Sequence, residues 1–182
     1  MKQHKEHGVG DSKEVNEMGT DEQKTCFVIM PFGEKIDVDG EIIEFDHIYE
    51  YLIKEVVQER LGLRCIRCDE IPESGWIHAD MLEHIYQADI AIVDITALSP
   101  NVFYELGVRH TLKSSGTILI RKKGTKIPFN IRGQRIIEYD IGLKESSEAK
   151  DKIERFIRSS LQKRSDDSIV YRVFPRLKVS LD

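Results

Sequence analysis

Two short runs, Thr25-Cys26-Phe27-Val28-Ile29-Met30 and Ala88-Asp89-Ile90-Ala91-Ile92-Val93-Asp94, are almost continuously apolar and far too short to span a bilayer. A strand with one wet face alternates apolar and polar residues, whereas a strand covered on both faces does not. These runs therefore predict strands in the middle of a parallel sheet with helices packed on either side, which excludes most all-β and all-helical architectures.

The intervening chain supplies the helices. Asp46 is positioned to cap a helix in which Ile48, Leu52 and Val56, and beside them Tyr49, Ile53 and Val57, recur every four residues up to Gly62. A second strand follows over Leu63–Cys68. An acidic, proline-containing and glycine-containing loop leads to a helix over Trp76–Gln87, with Trp76 either stacking beside a ligand or covering the sheet. Ser99-Pro100 is a capping residue ahead of a proline at the first helical position, and the helix it opens runs toward Gly116. Thr117–Arg121 and Arg135–Tyr139 read as the last two strands, and Glu145–Leu161 as a closing amphipathic helix.

This β-α-β-α-β-α-β-β-α order predicts an α/β fold: a doubly wound, flavodoxin-like or Rossmann-like three-layer sandwich with a five-stranded, mainly parallel sheet. Residues 1–23 are polar, lack an apolar period and read as a disordered leader. The domain proper spans 24–163. Residues 164–182 form a tail in which Ile169–Pro175 is strand-like, suited to an edge strand or a dimer arm.

A net charge of -5 gives no electrostatic reason for a nucleic-acid backbone or an anionic membrane as partner. With no apolar leader and three cysteines, an odd number, the chain reads as cytoplasmic and free of disulfides. Cys65 and Cys68 match C-x-x-C, but three residues apart on a strand they face opposite ways, and no second pair completes a metal site.

Ligands of open parallel sheets settle beyond the carboxyl ends of the strands. There the sequence places Pro31, Phe32 and Gly33 after the first strand, Asp69 and Glu70 after the second, and Asp94, Thr96, Ser99 and Asn101 after the third. The start of the helix behind Ser99 suits an anion such as phosphate. Glu105, in its second turn between Val102 and Val108, has two open readings: a carboxylate desolvated in the crevice, or a surface residue paired with Arg109. Gly107 reads as a point of close approach between helix and sheet.

The segments Ala88–Thr96 and Ser99-Pro100-Asn101-Val102-Phe103-Tyr104-Glu105-Leu106-Gly107, with Cys26–Gly33 and Phe45–Tyr49, resemble the nucleoside 2-deoxyribosyltransferase-like superfamily and are similar to bacterial TIR-like domains that cleave NAD. The resemblance covers roughly Cys26 to Tyr139. It implies that Glu105 attacks the anomeric carbon of a ribose or deoxyribose, that Asp69 or Asp94 assists the leaving base, and that Ser99 contacts the sugar phosphate or a hydroxyl. The reaction implied is cleavage, by hydrolysis or transfer, of the N-glycosidic bond of a deoxynucleoside 5'-monophosphate or NAD, with no metal and no cofactor, in a homodimer or higher homo-oligomer. The alternative is a TIR-like signalling or scaffold module that binds a nucleotide or a protein partner with little turnover. A nicotinamide-dependent oxidoreductase is disfavoured, because no G-x-G-x-x-G follows the first strand.

Overall fold

Five parallel strands form the sheet of the computed structural model, which describes residues 23–36, 40–70, 77–163 and 165–180. The strands are β1 (Thr25–Ile29), β4 (Arg64–Arg67), β5 (Ile90–Asp94), β6 (Thr117–Lys122) and β7 (Ile136–Tyr139), in the spatial order β4-β1-β5-β6-β7. All five residues of β5 are buried, as its unbroken apolar run requires. This is the flavodoxin-like order: the chain steps outward from β1 to β4 and then crosses back to β5 on the other side. The switch point is therefore at the carboxyl ends of β1 and β5, where Cys26–Ile29 pair with Ile90–Val93.

Alternate residues of each strand feed two separate cores. One face carries Cys26, Val28, Cys65, Ile90, Ile92, Ile118 and Ile120 against the first helix and α4 (Leu143–Gln162). The other carries Phe27, Ile29, Ile66, Ala91, Val93 and Leu119 against α2 (Ile77–Gln87) and α3 (Pro100–Leu112). Cys65 packs in the first core and Cys68 against the second, opposite faces as strand geometry dictates, and all three cysteines are free.

Several elements differ from the sequence-based expectation. Between β1 and the first helix, where no strand was expected, the chain carries an antiparallel hairpin, β2 (Glu34–Ile36) with β3 (Ile42–Glu44). The helix after it is α-helical only in α1 (Phe45–Ile48) and continues as a π-helix over Tyr49–Arg60. Its buried residues recur at intervals of four, longer than the 3.6-residue α turn, and a wider turn lets both rows run along the sheet. The tail is not an edge strand: Ile169–Val173 forms α5, packed on α3. Ser168 decides this, because its Oγ accepts from the N–H groups of Val170 and Tyr171 and donates to the carbonyl of His110 on α3. Gly107 is exposed and faces open space, so it does not mediate close packing. The expected leader, apart from Gln23, and Trp76 lie outside the described residues.

The position of α3 is set by Arg109, which is fully buried. Its Nη1 donates to the carbonyls of Ile85 (2.7 Å) and Ala88 (2.8 Å), and its Nη2 to those of Asp89, Ser115 and Gly116. One guanidinium thus clamps the end of α2 and the starts of β5 and β6 to the last turn of α3. Gly116 is required beside it: at φ +86°, an added Cβ would lie 2.4 Å from the Asp89 carbonyl oxygen. Replacing Arg109 with Met keeps the side chain's length but removes all five of these hydrogen bonds, while the Gly116 carbonyl keeps the Ala91 N–H. Urea denaturation of Arg109→Met is expected to show a loss of about 3 kcal/mol or more, in line with the cost of unsatisfied buried polar groups.

Candidate active site

Beyond the carboxyl ends of β4, β1 and β5, charged side chains gather and divide into committed and uncommitted groups. Arg67, the last residue of β4, is 7% exposed and cannot stay charged there without partners. Its Nη1 donates to Asp46 (2.8 Å), and its Nε and Nη2 grip both oxygens of Asp69 (2.5 and 2.7 Å). The guanidinium also lies 4.4 Å from the centre of the Tyr49 ring, whose hydroxyl donates to Glu70. Asp46 accepts the Gly33 N–H at 3.2 Å, and that bond, with Arg67, holds its carboxyl below the usual range. Gly33, at φ +66°, is thereby tied to the start of the helix, with Pro31 buried and Phe32 exposed on the rim.

Asp94 ends β5 and is fully buried. Its Oδ1 accepts from the Thr96 N–H (2.9 Å) and hydroxyl (2.5 Å), and its Oδ2 from the Tyr139 hydroxyl (2.7 Å). The Thr96 hydroxyl in turn accepts from the Lys122 N–H. This network joins the carboxyl ends of β5, β6 and β7. Burial pushes the Asp94 carboxyl up to about 6, against the opposing pull of the Thr96 and Tyr139 hydrogen bonds.

Glu105 stands apart from both networks. It is half-buried on α3, and among the described residues its carboxylate has no hydrogen bond or ion pair. Burial alone raises it to about 7, and burial, with a smaller contribution from the nearby Glu105 charge, raises the Cys68 thiol just after β4. The alternative pairing with Arg109 does not form, since that guanidinium is occupied by backbone carbonyls. Between Asp94 and α3 the chain turns through Leu98, the sole non-glycine with positive φ (49°) among the described residues. Ser99 follows at the helix N-cap with no side-chain capping bond, leaving the first N–H groups of α3 open, with Asn101 exposed in the first turn.

At this end of the sheet Glu105, Ser99, Asn101, Phe32 and Cys68 are each at least partly exposed. Asp94 and Thr96 are buried and join the strand ends, while Asp69, exposed on its other side, is paired with Arg67. Sequence reasoning did not identify Arg67, Tyr139 or Cys68. Arg67 alone had a usable signal, as a cation closing an apolar strand next to Asp69 and Glu70. A further cleft of about 460 Å³, lined in part by Ile43, His47, Tyr51, Lys122, Tyr139 and Ile141, opens on the α1 side of the same sheet edge.

No family model matches the chain, and no curated protein matches it. Among solved structures, the chain is similar to the lysine decarboxylase LdcF of Francisella novicida, with 12% identity and a TM-score of 0.47 over 78% of this chain and 18% of that one. No helix among the described residues is long and apolar enough to cross a membrane.

Raised carboxyl pKa values fix the sign of the pH response. Between the ordinary carboxylate range and about 6 for Asp94, or about 7 for Glu105, the native state holds a proton that the unfolded chain has released. Stability contributed by these groups is present at low pH and falls as pH rises through those windows. Urea unfolding measured from about pH 4 to 8 should show this decline, with Asp94→Asn flattening the part below about 6 and Glu105→Gln the part reaching to about 7.

Proposed function

We propose that the protein cleaves the N-glycosidic bond of a nucleotide, with Glu105 as the nucleophile. The observation that carries this reading is the isolation of the Glu105 carboxylate: half-desolvated, at the switch point of the sheet, and without a partner that would quench it. In the reaction, a carboxylate oxygen forms an ester bond to the anomeric carbon while the bond to the base breaks, its electron pair leaving with the base. Water then attacks the glycosyl ester, releasing the sugar and restoring Glu105, as in a retaining glycosidase. The open N-terminus of α3, with Ser99 and Asn101, suits a phosphate of the substrate.

The fate of the leaving group bears on the substrate. A neutral nucleobase departs readily only when protonated, and among the described residues Asp94 and Asp69 are both committed elsewhere. Nicotinamide in NAD is a cationic ring that leaves as a neutral base without a proton. The arrangement thus favours NAD over a deoxynucleoside 5'-monophosphate. The second reading, a TIR-like module that binds a nucleotide or protein partner with little turnover, draws support from the exposed apolar residues Ile42, Tyr51, Ile141 and Leu143 along one edge.

Liquid chromatography of reactions containing the purified protein with NAD, or with ribo- and deoxyribonucleoside monophosphates, tests the proposal. The expected result is nicotinamide release, reduced about 10³-fold or more in Glu105→Ala. Because the nucleophile must be ionised, kcat/KM should rise with pH through about 7. No release from any substrate, or equal release by Glu105→Ala, would overturn the assignment.

A further inference from the structure

Two exposed apolar surfaces of opposite charge lie at opposite ends of the molecule. The first is the tail. α5 and the residues after it leave Ile169, Val173, Phe174 and Leu177 open to solvent, Phe174 at 61% exposure. Between Ser168 and Ser180 the chain carries Arg172, Arg176 and Lys178 and no carboxylate. All three cations are exposed, and their side chains make no hydrogen bond or ion pair among the described residues. The tail has a fixed base. Asp167 accepts from the N–H groups of Gly116 (2.7 Å) and Thr117 (3.0 Å) at the amino-terminal end of β6, and Ser168 donates to the His110 carbonyl on α3.

The second surface is the cleft of about 460 Å³ at the carboxyl ends of β6 and β7, where Lys122 and Tyr139 are the last strand residues. Buried Ile43, Ile48 and Leu52 line it together with exposed Ile42, Tyr51 and Ile141. Leu143, two residues beyond Ile141, is 95% exposed. The bordering segments, 41–44 and 140–148, hold Glu41, Glu44, Asp140, Glu145 and Glu148 against a single lysine, Lys144. Lys122 is engaged by Glu41 at 2.6 Å, so it does not reverse this acidic balance.

Exposed apolar side chains grouped on one surface mark an interaction site, and a cationic apolar segment complements an acidic apolar cleft. The two do not meet within one chain. No residue of the tail lines the cleft. The tail is anchored at the amino-terminal end of β6 and packs on α3, whereas the cleft lies at the other end of that strand, on the face covered by the first helix and α4. The six residues of β6 separate those ends by roughly 17 Å, at about 3.3 Å per residue.

We propose that the chain associates with a second copy of itself head to tail, the tail of one copy seated in the cleft of the next. Phe174 is the anchor that enters the cleft beside Tyr51, and Arg172, Arg176 and Lys178 face the carboxylates of Glu44, Asp140 and Glu145. Each copy brings a different surface to the junction, so the contact is heterologous and every pair retains one free tail and one free cleft. The association is independent of the glycosidase reading.

Sedimentation velocity of the full chain from about 1 to about 200 μM, a range suited to a small interface, tests it. The parent is expected to be monomeric at the low end and to form larger species as concentration rises, with association weakened at about 1 M salt by screening. Phe174→Glu sets an anion against the acidic cleft, and Ile141→Arg sets a cation against the cationic tail. Each variant alone is expected to associate at least about tenfold more weakly than the parent. An equimolar mixture of the two should form a species of two chains and nothing larger, because one supplies an intact cleft and the other an intact tail. Both positions face solvent, and pairing in the mixture itself shows that both variants are folded. Glu105→Ala should associate as the parent does. A parent that stays monomeric throughout would assign these surfaces to other partners and overturn the proposal, as would full association of either variant alone or a mixture that fails to pair.

Discussion

One guanidinium holds the molecule's parts in register. A doubly wound sheet brings helices and strands together at ends where backbone carbonyls have no regular partner, and burying those ends is costly unless a donor reaches them. Arg109 supplies donors for α2, β5 and β6 at once, from the last turn of α3. The clamp closes only because Gly116 has no side chain in the way. Since α3 also carries Glu105, four residues before the clamp, the same contacts that complete the amino-terminal end of the sheet fix where the uncommitted carboxylate stands at the other.

That division of labour among carboxylates organises the crevice. Asp46 and Asp69 neutralise the buried Arg67, and Asp94 receives two hydroxyl donors and one N–H, so all three are locked in place and serve geometry. Glu105 is half-desolvated with nothing among the described residues to balance it, and the difference in environment, rather than in residue type, separates the uncommitted carboxylate from the committed ones. The left-handed turn at Leu98 lies between the two kinds, where the chain must leave a sealed strand end and immediately open a helix toward the crevice.

Much of this was written in local pattern. The continuous apolar runs of β1 and β5 required burial on both faces, and the alternation of strands with helices required a parallel, doubly wound sheet. The Ser99-Pro100 start of α3 and the position of Glu105 at the carboxyl end of β5 followed from the same reading. Patterns shorter than a turn or two were less reliable guides. The run Ile169–Val173 suits a strand by residue type, yet Ser168 caps it into a helix docked on His110. The first helix has its apolar residues where they were expected but a π rather than an α ladder over most of its length, because side-chain spacing specifies which face is buried and not which carbonyl each N–H selects.

By itself the sequence determined the fold class, the sheet's buried strands and which residues stand at the carboxyl ends of those strands, because each depends on hydrophobic periodicity and on chain direction, which are local. Only the tertiary structure decided which charged groups are available for chemistry. Arg109 and Glu105 are spaced as an ideal helical ion pair, and Asp69 and Asp94 both sit at strand ends. Their roles were assigned by partners 20 to 45 residues away in the chain: the Ile85 to Asp89 carbonyls for Arg109, Asp46 for the Arg67 that holds Asp69, and Tyr139 for Asp94. A charge is quenched or left exposed by whatever the fold packs against it, and that distance in sequence carries no periodic trace.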